Sequence, residues 1–553
     1  MNKRYIDKNL VCIFIAAVCL MYPQLKSNSY FSTNYSDACA YTSWALQFIE
    51  ALREGIAYPR WMPLNFWGYG SPTFLTYPPF AFYLIALLNV FYDSVIVAMN
   101  IAKFLAVFTG GIGVYLFISE FYCKRCALYG AIFYILFPHT VLQLYVFGAF
   151  AATISYLWFP YVLLYLYRYT QTKKLKSIVQ ASFCYALLIA THLVYAYLFT
   201  MVMILFVLFI SIISSDRDRL FSIPYVLVGG WALSSYYLLP VLFERSHLQI
   251  HNFINNGFQY FNHFVYPHAN SGSGWDSLFA LLINQSVVLS LLVMLIALLH
   301  LKYNYLFVKD LQVINACFLI IAILSLFFVF GFSSFVWESL PFFKFIQFPT
   351  RWLSISTFAV SFLSATIFVM LENEVKSHLK INVYVLTVLL LFIFFDINII
   401  KKAHFFTEAD LLPAKPVNWT FEHLPSKVQV ESIANYPDIS QVSVNGDAKA
   451  ELISWKSAER LIRITAKEEV VIRLRLFNFI GWTALVDDKV SNIFSEDKTG
   501  AILLELPKGD HLVRFCYKDT SVRYCGKLIS LVSITVGLAY LIFEKFRFKI
   551  KAT

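Results

Sequence analysis

Only 33 of the 553 residues are Asp or Glu, so the carboxylates lying outside the apolar segments can be weighed one at a time. Asp37 comes first, in Asn34-Tyr-Ser-Asp-Ala-Cys-Ala-Tyr-Thr-Ser-Trp44, about a dozen residues beyond the first apolar run. A carboxylate held just above a bilayer can take the proton of an acceptor hydroxyl, which makes Asp37 the candidate general base. Trp44, Ala45, Phe48, Ile49 and Leu52 then follow at helical spacing, so Ser36 or Asp37 is equally a candidate N-cap. The two roles are compatible. Later carboxylates are Glu50, Glu54, Asp93, Glu244, Asp276 and Glu338.

Cations for an anionic substrate are also few. Arg351, in Phe345-Ile-Gln-Phe-Pro-Thr-Arg-Trp352, opens an apolar segment, where a positive charge opposes the helix dipole and calls for an anionic neighbour. Its guanidinium fork suits a phosphate; the alternatives are an ion pair with a carboxylate such as Glu338, or snorkelling to lipid headgroups. His192 interrupts a near-continuous apolar stretch and either meets a lipid phosphate or polar substrate or is a satisfied structural histidine. Arg60, in Tyr58-Pro-Arg-Trp61, and Arg245 are further candidates for phosphate. No Gly-rich phosphate loop or Ser/His/Asp arrangement is present. His247, His251, His263 and His268 are irregularly spaced, and Cys123-Lys-Arg-Cys126 lacks a second pair, so no metal site is predicted. No cofactor is identified, and a divalent-metal requirement stays open.

The elements that must position these residues follow from composition. The chain is 59% hydrophobic and 14% charged, with a mean hydropathy of +0.64, which no soluble core of this length accommodates. The net charge of +11 comes from Lys and Arg gathered in short loops between apolar segments, a membrane-orientation pattern rather than a nucleic-acid surface. With those loops inside, spans are predicted near 9–23, 95–119, 126–143, 148–167, 177–193, 196–213, 221–243, 275–299, 311–330, 350–371, 382–400 and 526–543. The first reads as a retained helix without a cleavage site, and both termini fall on the cytoplasmic side. Residues 78–92 are apolar but short, and charge parity places them along the outer interface.

The remaining mass is then outside: a first loop at 24–94, loops at 244–274 and 331–349, and residues 401–523. The last segment alternates, as in Leu461-Ile-Arg-Ile-Thr465 and Val470-Val-Ile-Arg-Leu-Arg-Leu476, with turn signals at Asn445-Gly446-Asp447, Asp487-Asp488 and Lys508-Gly509-Asp510. A small β-sandwich is expected. Cys516 and Cys525 fall on the same side and are candidates for a pair.

Several motifs resemble one family in their order along the chain. They are Leu52-Arg-Glu-Gly-Ile-Ala-Tyr-Pro-Arg-Trp61, Phe66-Trp-Gly-Tyr-Gly-Ser-Pro72, Tyr77-Pro-Pro79, Ser235-Tyr-Tyr-Leu-Leu-Pro-Val-Leu-Phe-Glu244, Phe345-Ile-Gln-Phe-Pro-Thr-Arg351, Phe479-Ile-Gly-Trp482, Gly509-Asp-His511 and Asp519-Thr-Ser-Val-Arg523. The chain resembles YfhO-like, "6-pyruvoyl-tetrahydropterin synthase-related" bacterial membrane proteins, which are similar to GT-C superfamily glycosyltransferases. Nothing in it resembles a soluble zinc-dependent pterin enzyme. The resemblance implies transfer of a sugar from a polyprenyl-phosphate donor to an envelope glycan or glycolipid on the outer face, with Asp37 as base. Arg351, His192, Arg60 and Arg245 are then the candidates for the donor phosphate. Tyr77, Glu244, Glu338 and Trp482 are candidates for acceptor or loop contacts. Relatives often carry an Arg-Gly-Ala…Glu stretch where this chain has Phe147-Gly-Ala-Phe-Ala-Ala152, which bears on substrate or activity.

The expectation is therefore a polytopic α-helical inner-membrane protein of about twelve spans, GT-C-like over residues 1–400. A β-sandwich-like domain at 401–523 and a last span with a basic tail at 524–553 complete it. The partners are lipid-linked sugar, glycan acceptor and membrane lipid, not nucleic acid. The rival readings are a non-catalytic glycan-binding scaffold and a lipid or glycan transporter, the latter calling for ionisable residues at mid-bilayer and symmetric halves.

Overall fold

The computed structural model describes residues 7–32, 35–214, 216–254, 258–265, 277–303, 309–374, 400–401, 403–411, 417–434 and 440–552. Among them, eight helices are long and apolar enough to cross a bilayer, or up to ten if each of two bent pairs is one span. At 1.5 Å per residue, about 20 residues match the hydrocarbon thickness. The helices that matter below are α1 (Lys8–Ser27), α2 (Tyr35–Arg53), α3 (Phe80–Asn89), α4 (Val95–Ile118), α5 (Lys124–Leu136), α6 (Phe150–Thr172), α7 (Leu175–Thr191) and α8 (Leu193–Ser214). They continue with α9 (Ser222–Leu233), α10 (Ser235–Glu244), α11 (Ser277–Tyr303), α12 (Lys309–Phe327), α13 (Trp352–Glu374) and α14 (Ser521–Ala552).

Every expected segment within the described residues is helical, but two are not straight. The helix expected at 126–143 breaks by 40° between α5 and Pro138–Phe147, because Phe137 is extended before a proline that has no N–H to give. The helix expected at 221–243 bends by 83° at Ser234, between α9 and α10. The span expected at 382–400 lies outside the described residues apart from its last one. α3 has ten residues, too few to cross, and its apolar tip at Val90 and Phe91 is exposed.

Among the described spans α13 is the most enclosed, with 83% of its apolar stretch buried, whereas α14 at 11% stands on the rim. Serines and threonines make that depth tolerable: Thr357 and Ser361 donate back to the Leu353 and Thr357 carbonyls, leaving no hydroxyl stranded. At one end of the bundle the short loops are cross-linked by charge: Lys124 to Asp7 at 3.8 Å, Arg168 to Glu120 at 2.7 Å and Lys173 to Asp216 at 3.1 Å.

The other end carries the sandwich. One antiparallel sheet runs β3 (Val442–Asn445), β6 (Val470–Phe477), β10 (Ala501–Leu506), β9 (Phe494–Ser495). The second runs β4 (Ala448–Trp455), β5 (Glu459–Ala466), β11 (Gly509–Tyr517), β7 (Trp482–Val486), β8 (Lys489–Ser491). In β6 buried and half-exposed residues alternate along Val470–Arg475, the period-two pattern of a strand with one face on a core. Asp487 and Asp488 sit at φ 48° and 64°, the left-handed pair a two-residue hairpin between β7 and β8 requires.

The sandwich begins at Val442, later than 401, and its core is shared with the first loop. Trp61, Phe66, Tyr69 and Leu75 pack with Ile462, Ile472, Leu474 and Phe477. The two-residue strands β1 (Tyr30–Phe31) and β2 (Phe405–Phe406) pair antiparallel, tying residues after α1 to the segment before the sandwich. Cys516 and Cys525, the candidates for a pair, are free thiols. Cys123 caps α5 by accepting from the Cys126 amide at 3.4 Å, which gives that spacing a structural purpose.

Candidate functional site

α2 begins at Tyr35, so Asp37 lies in the first turn rather than at the N-cap. A carboxylate there is favoured by the amides and dipole of the helix start. The apolar stripe of α2 fixes its orientation: Ala38, Trp44 and Phe48 are buried, with Phe48 edge-on to Phe74 at 4.9 Å. Asp37 itself is exposed.

One turn along, Tyr41 accepts a hydrogen bond from the Tyr77 hydroxyl at 3.2 Å. Burial first, and then the charge of Asp37, pushes the Tyr41 hydroxyl up to about 12, while the Tyr77 hydrogen bond and Arg351 pull the other way. Tyr77 is held well above the ordinary range by burial and by Tyr41, with Asp37 contributing. Asp37, Tyr41, Tyr77 and Arg351 thus share one neighbourhood, joining the N-terminus of α2, the loop before α3 and the start of α13.

Arg351 closes a 3₁₀ turn at Pro349–Arg351 immediately before α13. Its Nη1 donates to the Ile346 carbonyl at 2.6 Å and to Gln347 Oε1 at 3.4 Å, and its plane lies 5.1 Å from the Phe348 ring centroid. Among the described residues, no carboxylate is within ion-pair distance of it. The expected alternative partner, Glu338, is exposed on a separate short helix at Ser334–Ser339. Gln347, which braces the guanidinium, sits at φ 60°, a left-handed conformation costly for a residue with a Cβ.

His192 separates α7 from α8 with extended backbone at φ −157°. Its Nδ1 accepts from the Tyr195 amide at 3.4 Å, so the neutral ring carries its proton on Nε2. The histidine therefore has a structural duty, as the cap of α8, and keeps a donor for another. It is half-buried and feels the charge of Arg351.

Two residues that the sequence reading did not single out complete the cluster. Glu422 and His423 form part of a 3₁₀ turn at Phe421–His423 ahead of the sandwich. Burial first, and the charge of Asp37 in addition, carries the Glu422 carboxyl up to about 7. Burial pushes His423 down to about 3; its Nδ1 meets Thr76 Oγ1 at 3.2 Å and its ring edge meets Trp44 at 5.8 Å. Asp37 is exposed, and Tyr41, Tyr77, His192, Arg351 and Glu422 are half-buried residues among buried neighbours.

Other candidates lie elsewhere. Arg60 is 3% exposed, paired with Asp519 at 2.9 Å, bonded to the Tyr236 carbonyl and stacked 3.9 Å over Tyr58, a strut between the first loop, α10 and the turn before α14. Glu244 is buried against Arg523 at 2.8 Å. Trp482 packs at 5.4 Å on Trp61 inside the sandwich core. Arg245 is exposed in a 3₁₀ turn. His268 and Asp276 fall outside the described residues. Among the described residues, no group of three His, Cys, Asp or Glu is arranged to hold a metal ion.

The sequence profile of a membrane-protein family, the "6-pyruvoyl-tetrahydropterin synthase related domain", matches residues 74–403. No curated protein matches the sequence. Among solved structures the chain is similar to the oligosaccharyltransferase AglB of Archaeoglobus fulgidus, in complex with an inhibitory peptide and a dolichol-phosphate. That likeness has 14% identity and a TM-score of 0.39, over 71% of this chain and 55% of that one. An Archaeoglobus fulgidus oligosaccharyltransferase complex with Zn and sulfate gives 16% identity and 0.37, over 71% and 52%. ArnT from Cupriavidus metallidurans bound to undecaprenyl phosphate gives 10% and 0.35, over 64% and 77%. The chain spans about half the length of the two oligosaccharyltransferase chains.

Proposed function

The chain belongs to the membrane family of 6-pyruvoyl-tetrahydropterin synthase related domains, and from that premise we propose that it is a glycosyltransferase that uses a polyprenyl-phosphate sugar. The observation that carries this reading is one neighbourhood holding an exposed carboxylate, Asp37, and a half-buried arginine, Arg351, with no carboxylate partner among the described residues. The carboxylate suits a base and the arginine suits an anionic leaving group. Asp37 takes the proton of an acceptor hydroxyl as its oxygen bonds to the anomeric carbon. The bond from that carbon to the phosphate oxygen breaks, and the departing electron pair stays on a phosphate held by Arg351. The Nε2–H of His192 is a second donor for it.

The basic loops gather at the end of the bundle away from the sandwich, which favours a cytoplasmic position for them and an outer position for the sandwich and site. A lipid-linked donor is the form in which an activated sugar is available there. A scaffold that binds glycan without transferring sugar is the second reading. It is favoured by the stretch Phe147-Gly-Ala-Phe-Ala-Ala152, which lacks the Arg and Glu that the family resemblance leads one to expect.

The test is a mass-spectrometric comparison of envelope glycans from cells with the wild type, a deletion, and Asp37→Asn. Transfer predicts one sugar lost in both the deletion and Asp37→Asn at unchanged protein level. Loss in the deletion alone would leave Asp37 a helix-start residue and move the chemistry elsewhere.

A further inference from the structure

A cavity of about 470 Å³ opens between the C-terminal half of α2, the turn at 63–68, the residues between α3 and α4, and the sandwich. It is separate from the cluster around Asp37. Glu50, which lines it, lies 13 residues from Asp37, about 20 Å along the helix and on the opposite side of it.

Its chemistry is distinctive. Glu50, Glu54 and Asp93 face Arg53, Lys456 and Arg475, so the lining is close to neutral and offers no net attraction to a phosphate. Arg475 makes one long hydrogen bond, to the Trp67 carbonyl at 3.4 Å, and its Nε is buried with no partner. The wall also holds Trp455, half-buried, with the Arg460 guanidinium 4.4 Å over one face. Trp455 packs against the sandwich core and also borders the cavity. An aromatic plane among carboxylates, amides and guanidinium groups fits a ligand with a flat C–H face and a rim of hydroxyls. The volume falls in the range of ligand-binding cavities.

We propose that this cavity anchors a hexose-based stretch of an envelope glycan, apart from the reacting end. The inference takes its partner class from the function proposed above but does not need transfer to occur. Bound here, a glycan would be held by the first loop and the sandwich together while its end is elsewhere.

The experiment is equilibrium dialysis of the purified full chain in detergent against tritium-labelled oligosaccharides released by mild acid from the cell's own envelope polysaccharide. The proposal expects Asp37→Asn to bind like the wild type. The double variant Glu50→Gln/Gln441→Ala changes two exposed lining residues outside the core, and it should bind at least about tenfold more weakly, a loss of about 1.4 kcal/mol. Trp455→Ala should lose more, with a melting curve to establish that it folds. Wild-type binding that survives the double variant overturns the proposal, and so does the absence of binding to the wild type. Binding lost in Asp37→Asn and kept in the double variant would place the glycan at the Asp37 cluster and overturn the proposal. Failure of transfer with binding intact would count against the enzymatic reading alone.

Discussion

Glu422 feels the charge of Asp37, and burial first, with that charge in addition, holds its carboxyl above the usual carboxylate range. Its carboxyl is moved from 4.5 to about 7, so between those values the folded chain binds a proton that the unfolded chain has released. Stability therefore falls as pH rises through that window, the sign opposite to that of an ion-paired carboxylate. Glu422→Gln should flatten this slope in melting temperatures measured across it. The variant should also remove the falling limb above about 7 in the pH dependence of transfer, where a second negative charge beside Asp37 repels an anionic donor. Arg351→Ala should raise KM for the lipid-phosphate donor by about 10- to 100-fold, the scale of one or two hydrogen bonds to a charged group, and Arg351→Lys should recover part of it. Asp37, Arg351 and His192 were legible because charges are rare in this sequence and these interrupt or border apolar runs. Glu422 and His423 were not, since nothing local marks Phe421-Glu422-His423, and only the fold carries it back to α2. Arg60 and Glu244 had the same rarity, but the residues that neutralise them, Asp519 and Arg523, come from nearly the other end of the chain.

Elements were legible where periodicity and length settle them, and less so where a chain turns through a break. The strands of the sandwich and most spans follow from alternation and apolar length. The 83° bend at Ser234 does not, because a Ser234-Ser235 pair inside a long apolar run is compatible with an unbroken helix. The Phe66-Trp-Gly-Tyr-Gly-Ser-Pro72 motif has a backbone explanation: residues 66, 67, 68 and 70 all have positive φ, and the turn is closed by the Met62–Ser71 bridge. At Gly70 a Cβ would come within 2.3 Å of Trp61 Nε1, at φ 78°. Gly70→Ala should therefore destabilise the loop and sandwich by roughly 2 kcal/mol or more, read as a lower melting temperature of the detergent-purified chain. Gly148 is similarly fixed, at φ 60° with a would-be Cβ 2.7 Å from the Phe31 carbonyl oxygen. The glycine of the Phe147-Gly-Ala segment thus answers to packing.

At the scale of the whole molecule, the first loop and the sandwich are one unit. Their shared core, the Arg60–Asp519 strut and the buried Glu244–Arg523 pair link segments hundreds of residues apart. A sequence divided into a helical part and a β part could not reveal this, because each half reads as complete by its own periodicity. The orientation that follows from the basic loops is testable with single cysteines in a cysteine-free background and a membrane-impermeant maleimide. Asp488→Cys should label in intact cells, and Lys174→Cys only after permeabilisation; the reverse pattern would put the site on the cytoplasmic side and remove the reason for a lipid-linked donor. The central claim is that Asp37 activates an acceptor against a sugar leaving from lipid phosphate. Its most direct measurement supplies deletion-strain membranes, preloaded with labelled polyprenyl-phosphate sugar, with purified wild type or Asp37→Asn, and follows label into glycan. The wild type should transfer label, and Asp37→Asn should do so at least about 100-fold more slowly at equal protein, the scale of a lost general base. Equal rates for the two, or no transfer by the wild type, would contradict that claim.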